Sequence, residues 1–355
     1  MPTITLVMYY WRNRIFKELQ HMNNALPLDG VSVVELAAIG PVPFTGRMLH
    51  QLGAEVTVVC APRHRDLGIP MSDDPLESGK HRVVIDLKTA AGRDALGTLV
   101  RESDVLIEGF RPGTLERLEL APAYLHSVQP ALVIGRCAGW AATGARASSA
   151  GHDINFLALA GILGAIGPKE CPSPPINLLG DFGGGGMHLA LGVVAALLQA
   201  KRDGKGAVVQ TSIFGASVSL TAHLHGMLDS GLWIDDRQSN LLDGGAPFYR
   251  CYRTSDDHWL AIGAIEPKFF AELVSELDVE VDAARQYDRS YWPTLTQILS
   301  QRIAARTRDE WDTVFAQGDA CATPVLTWKE ARSHRDGAVA FEHNAPKPAI
   351  TFHRE

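Results

Sequence analysis

The first part of the chain alternates short apolar runs with stretches of helical period. Val31-Ser-Val-Val-Glu-Leu36, Glu55-Val-Thr-Val-Val59, Val83-Val-Ile-Asp-Leu87, Asp104-Val-Leu-Ile-Glu108 and Ala131-Leu-Val-Ile-Gly135 are too short for helices and rich in β-branched residues. A helical pattern follows Gly40-Pro-Val-Pro43 as far as Leu52, where Gly53 ends it. Two more cover Ala90–Arg101 and Leu115–His126. Strands alternating with helices predict right-handed β-α-β units, and therefore an α/β fold with a Rossmann-like parallel sheet in a large domain.

From about Ile154 to Ala200 the pattern turns helical and rich in Gly and Ala, with the Pro-rich turn Cys171-Pro-Ser-Pro-Pro175 inside it. Val208–Ile213 reads as another strand, and an amphipathic stretch runs on to Leu232. The character changes after Asp243-Gly-Gly245. Phe248–Arg253 and Trp259–Ile265 predict an antiparallel pair around Ser255-Asp-Asp257, followed by helices near Pro267–Leu277, Trp292–Ala305 and Arg308–Gln317. That is a small α+β domain. The division expected is an N-terminal extension (1–26), a large domain (27–215), a linker helix (216–243), the small domain (244–330) and a C-terminal return segment (331–355). Met22-Asn-Asn-Ala-Leu-Pro-Leu-Asp-Gly30 reads as a natural start, which makes the residues before it an upstream extension.

Composition narrows the function. The chain has 355 residues and a formal net charge of −7, so it is not expected to bind nucleic acid. Five scattered cysteines with no C-x-x-C pair suit a reduced compartment and no structural zinc. No apolar run approaches the roughly 18–20 residues a bilayer requires, so no membrane partner is expected. The C-terminal Phe352-His-Arg-Glu355 carries no peroxisomal or reticular address, and the expected location is the cytoplasm. Ala38-Ile-Gly-Pro-Val-Pro43 after the first strand lacks the glycine fingerprint of dinucleotide binding, and P-loop, G-x-S-x-G and H-E-x-x-H motifs are absent.

Candidate chemistry collects in a few places. Basic residues follow the early strands: Arg63, His64 and Arg65, then Lys80, His81 and Arg82, with Lys88 and Arg111. Such positions suit phosphate groups. Any one of them reads equally well as a solvated charge, but Arg111 is pinned in Gly109-Phe-Arg-Pro-Gly113, where Pro fixes the turn and Gly lets backbone approach a ligand. Three further segments each place one titratable side chain at the end of a regular element. They are Gly151-His-Asp-Ile-Asn155, Gly180-Asp-Phe-Gly-Gly-Gly-Gly186 and Gly263-Ala-Ile-Glu-Pro267. Alone, Asp181 would pass for an N-cap and His152 for a structural histidine. The four glycines suit a substrate lying against backbone, or amides facing an anion.

At these places the sequence resembles the α-methylacyl-CoA racemases, within the larger group of family III CoA-transferases. The likeness runs from Leu28 to about Phe352 and includes Leu28-Asp-Gly30, Asp86-Leu-Lys88, Ile107-Glu-Gly-Phe-Arg-Pro-Gly113, Gly139-Trp140, Asp203-Gly-Lys-Gly206, Leu242-Asp-Gly-Gly-Ala-Pro247 and Asp319-Ala-Cys-Ala-Thr-Pro-Val325. The resemblance implies a family III fold forming an interlocked homodimer. It implies interconversion of (R)- and (S)-2-methylacyl-CoA in fatty acid metabolism, by two-base proton transfer through an enolate. His152 and Asp181 would be the acid/base pair, and Glu266 the partner that orients His152 and stabilises its charged form, reaching it from the other chain. Arg63, Arg82, Leu87, Lys88, Arg111, Asp153, Phe156, Gly183 and Gly184 would contact the CoA thioester. The amide of Asp153 or of Asp181 would hold the enolate oxygen. No metal and no cofactor is implied, because CoA is part of the substrate and the thioester already acidifies the α-carbon. Two alternatives stand beside this: a CoA transferase using Asp181 as nucleophile, and a CoA-ester-binding protein without catalysis. The transferases carry Tyr-Asp where this chain has His152-Asp153 and lack the Ala-Ile-Glu-Pro stretch. This chain also departs from the racemases. Phe156 replaces a tyrosine, Ala141-Ala142 a Gly-Gln, and Val58-Val-Cys-Ala-Pro62 lacks the basic residues expected before its proline.

Overall fold

A computed structural model describes residues 26–62, 74–342 and 345–353. The expected extension (except Leu26) and Arg63 lie outside these residues. The described residues divide into two compact units that do not follow chain order: those within 26–160, 176–220 and 348–353 form the first, and those within 161–175 and 221–347 the second. The boundaries differ from those expected. Residues 161–175 group with the second unit because Arg237 donates three hydrogen bonds to the carbonyls of Gly164, Pro168 and Lys169, at 2.9–3.0 Å. The expected linker is divided at Leu220, between two helices, and residues 331–347 stay with the second unit.

The first unit is built on six parallel strands: β1 (Ser32–Leu36), β2 (Glu55–Cys60), β3 (His81–Val84), β4 (Val105–Glu108), β5 (Val133–Ala138) and β6 (Val208–Ser212). Their order is β3-β2-β1-β4-β5-β6. Val33 pairs with Val56 on one side and Val105 on the other, so β1 is central. Val33, Val34, Val105, Leu106, Val133 and Ile134 are essentially inaccessible, as expected when helices cover both faces of a parallel sheet. The helices are α1 (Pro41–Gln51), α2 (Ala90–Arg101), α3 (Pro122–Val128), α4 (Asp153–Leu159), α5 (Met187–Asp203) and α6 (Ile213–Leu220). The helix expected over Leu115–His126 is interrupted, because Glu119 takes a positive φ of 59° and Pro122 starts a new first turn. A π-helix, Leu179–Gly186, runs directly into α5. The helical stretch Ile176–Asp203 is therefore 28 residues long and, by length and composition, apolar enough to cross a membrane. That corrects the sequence expectation of no apolar run of such length. In this unit Leu189, Val193 and Leu197 of the stretch sit in the core against the sheet.

Strands β1 to β3 are added toward one edge of the sheet and β4 to β6 toward the other, so the strand order switches between β1 and β4. Open α/β sheets hold ligands at such switch points, beyond the carboxyl ends of the strands. Two buried carboxylates brace this end. Glu35 of β1 meets Lys80 Nζ at 2.7 Å, and the same ammonium donates to the Pro43 carbonyl at 3.0 Å, fastening the first turn of α1. Glu108 of β4 accepts from Arg136 Nε and from the amide of Phe110, each at 2.6 Å, and so fixes the turn carrying Arg111.

The second unit contains α7 (Ala222–Asp229) and an antiparallel sheet β7-β8-β9, with β7 (Tyr249–Arg253), β8 (Trp259–Gly263) and β9 (Ala322–Pro324). The hairpin matches expectation, whereas β9, only three residues long, has no sequence signal of its own. Helices α8 (Pro267–Leu277), α9 (Trp292–Ile303), α10 (Arg308–Val314) and α11 (Trp328–Ser333) complete it. Its core gathers Phe248, Phe270, Leu273, Leu295, Leu299 and Trp311.

Candidate active site

At the switch point of the first unit lies a cleft of ≈ 290 Å³. The ends of three central strands and the loops after them line it, supplying Ile39, Gly109, Arg111, Cys137 and Gly139, with His152, Phe156 and Asp181 also on the wall. The expected acid/base pair therefore shares one cavity, together with Arg111 and Phe156.

Local structure explains why these side chains meet. His152 is the N-cap of α4, and its amide donates to Asn155 Oδ1 at 3.1 Å. Its neighbour Asp153 is buried; its Oδ1 accepts the amide of Asp181 at 2.7 Å, and its carboxylate also accepts that of Gly180. One carboxylate thus ties the start of the π-helix to the start of α4. Gly180 is required there, because a Cβ would collide with that carboxylate. From the opposite side Gly40, at φ 72°, brings α1 close; a Cβ there would lie 2.9 Å from Asp181 Oδ2. Thr45 Oγ1 donates to the Gly186 carbonyl at 2.9 Å, and Phe44 stacks on Phe182 at 4.6 Å.

The run of four glycines also has a packing role. None has a positive φ, so conformation does not demand them. Added methyl groups would meet Ser217 Oγ at 2.8 Å from Gly184, Pro41 at 3.0 Å from Gly185 and Phe44 at 2.6 Å from Gly186. Gly184 is buried in this packing, and only Gly183 remains half-exposed. Gly184, Gly185 and Gly186 thus allow close packing against α1 and α6.

Electrostatics set Asp181 apart. Burial and the adjacent Asp153 carboxylate push its pKa up to about 6, against opposing pulls from an Asn177 hydrogen bond and from His152. Asp153 is also raised, by burial, and held back by the two amides it accepts. Cys137 is pushed up to about 12, mainly by burial and then by Asp181, and remains a neutral thiol wall. Phe156, 3% exposed, stands edge-on to Trp140 at 4.7 Å and fills the space that Gly139 and Gly151 leave open.

Other expected contacts lie elsewhere. Arg82, Leu87 and Lys88 belong to the edge strand β3 and the loop after it, outside the residues that line the cleft; Arg82 reaches Cys60 Sγ at 3.1 Å and Leu87 packs into the core beneath α2. Glu266 is in the second unit, as N-cap of α8. Sequence reading missed Asn177 and Cys137. The first had a signal in Asn177-Leu-Leu-Gly-Asp181, one helical turn before the acid. The second had none.

The match to known proteins now decides the family. The profile of CoA-transferase family III fits residues 28–344. The chain belongs to CoA-transferase family III. It is 42% identical to the alpha-methylacyl-CoA racemase of Mus musculus, over 87% of this chain and 80% of that one. Against the alpha-methylacyl-CoA racemase of Homo sapiens the identity is 40%, over 91% and 86%. Among solved structures, Rv3272 from M. tuberculosis superposes with a TM-score of 0.74 at 30% identity, covering 89% of this chain and 86% of that one.

Proposed function

We propose that this family III chain is a racemase that interconverts (R)- and (S)-2-methylacyl-CoA thioesters. The observation that carries the reading is that His152 and Asp181 line one cleft beside Arg111, the basic residue of a turn that suits a CoA phosphate. Racemisation needs a base on one face of the α-carbon and an acid on the other. One group takes the α-proton, the electron pair moves onto the thioester oxygen, and the other group returns a proton to the opposite face. A carboxyl group raised to about 6 can serve as base in one direction and as acid in the other near neutral pH, which is what alternating roles require. The Asp181 amide is already engaged by Asp153, which leaves the amide of Asp153, at the first turn of α4, for the enolate oxygen. In this reading the active form is a homodimer, in which Glu266 of one copy serves His152 of the other.

Proton NMR of 2-methylacyl-CoA incubated with the enzyme in D2O tests this. Loss of the α-proton signal with decay of optical activity, and with no acyl acceptor present, is the expected result. Acyl movement to an added carboxylic acid without α-exchange would replace it with the transferase reading, in which Asp181 attacks as nucleophile.

A further inference from the structure

Glu266 stands at an awkward point of the backbone. Between the end of β8 at Gly263 and the start of α8 at Pro267, Ala264-Ile-Glu266 belong to neither element. Pro267 offers no N–H and disfavours helical geometry at the residue before it; Glu266 accordingly is extended, at φ −68° and ψ 141°. The carbonyls of Ala264 and Ile265 therefore need donors from outside regular structure. Gln286 supplies them. Its Nε2 donates to Ala264 O at 3.1 Å and to Ile265 O at 2.7 Å. Tyr287 adds its hydroxyl to Ile265 O at 2.6 Å.

The clamp is itself anchored. Trp292 Nε1 donates to the Gln286 carbonyl at 2.9 Å, and the Tyr287 ring stands edge-on to buried Phe248 at 5.4 Å. The amide has one orientation, because turning it over would set Oε1 against two carbonyl oxygens. Gln286 is 2% exposed, and its Oε1 has no hydrogen-bond partner. A buried, half-satisfied amide is a poor route to stability, since an unpaired buried acceptor carries a desolvation penalty. Its geometry serves placement instead. The Glu266 charge is felt at Tyr287, whose pKa is raised by burial and then by that carboxylate.

We propose that Gln286, assisted by Tyr287, is a positioning residue that sets the Glu266 carboxylate by clamping the two carbonyls before it. The inference rests on the role given to Glu266 above. It is tested in the full-length chain with Gln286→Met, Tyr287→Phe and Glu266→Gln, by α-proton exchange in D2O across a pH series and by urea unfolding. Gln286→Met is expected to lower kcat about tenfold or more, with KM within about twofold, because small misplacement of a catalytic group is expensive in rate. Its pH–rate profile is expected to move toward that of Glu266→Gln, with Tyr287→Phe following in the same direction to a smaller extent. A cooperatively folded Gln286→Met with wild-type kcat and profile overturns the inference. If that variant does not fold, Tyr287→Phe decides: its hydroxyl is on a half-exposed side chain, and an unchanged kcat and profile there overturns the inference as well. Impaired Glu266→Gln beside normal Gln286→Met removes this inference alone, whereas a wild-type Glu266→Gln removes the role of Glu266 and the inference with it.

Discussion

Glu35 and Asp181, both in the first unit and both lifted by burial, meet opposite fates in their surroundings. Glu35, inaccessible under α1, is raised to about 7 by desolvation, with Lys80 pulling it back. Its cation is in place at 2.7 Å and holds a helix end. Asp181 is raised to about 6 by burial and by a second carboxylate, and it borders open space shared with His152. The first is locked by a partner of opposite charge and has no route to a substrate. The second is destabilised by a partner of like charge and is left free to exchange a proton. A raised pKa alone therefore does not mark chemistry; what faces the group does.

That contrast can be broken by mutation. The largest effect is expected at the cleft: His152→Ala or Asp181→Asn should each reduce α-proton exchange about 10²- to 10⁴-fold while leaving the urea midpoint close to wild type. Wild-type exchange in either variant would remove that residue from the acid/base pair.

At Glu35 the effect should fall on stability. Lys80→Met strands a buried carboxylate and is expected to cost about 3 kcal/mol near neutral pH, measured by urea unfolding. The sign with pH follows from the upward shift. A group whose folded pKa lies above its unfolded value favours folding when protonated, so stability falls as pH rises from about 4.5 through about 7. The Lys80→Met deficit should therefore shrink in mild acid, where Glu35 takes a proton. A deficit independent of pH would show that lost packing, not a stranded charge, is responsible.

The smallest effect concerns the pH profile. The ascending limb of kcat/KM should lie near pH 6, where Asp181 loses its proton. Asp153→Asn keeps an acceptor for the Asp181 amide but removes the like charge. The limb should then move to lower pH, with a modest change in maximal rate. A limb that stays in place would show that burial alone lifts Asp181.

Much of the architecture was legible in sequence because it rests on local rules. Five of the six parallel strands begin and end within a few residues of their apolar runs, and the hairpin at Ser255-Asp-Asp257 follows its turn residues. Strand β3 is the exception: it pairs over His81–Val84 rather than Val83–Leu87, since an edge strand has one neighbour to set its register and β2 ends at Cys60. The helix stop at Glu119 was invisible, because a positive φ at a glutamate is imposed by packing and not by propensity.

For the site, sequence by itself determined the chemistry on offer. His152, Asp181 and Glu266 announced themselves by residue type, by their place at element ends and by resemblance to a family. Arg111 did so by the turn around it. Only the tertiary structure decided which of these groups share a cavity, that Asp153 is the carboxylate beside Asp181, and that Gly184, Gly185 and Gly186 pack closely against neighbouring helices. The reason is physical. Element type and turn chemistry depend on neighbours a few residues apart, whereas a carboxyl's pKa depends on desolvation and on charges distant in sequence. Asp153 lies 28 residues from the amide it binds, and no local pattern carries that distance.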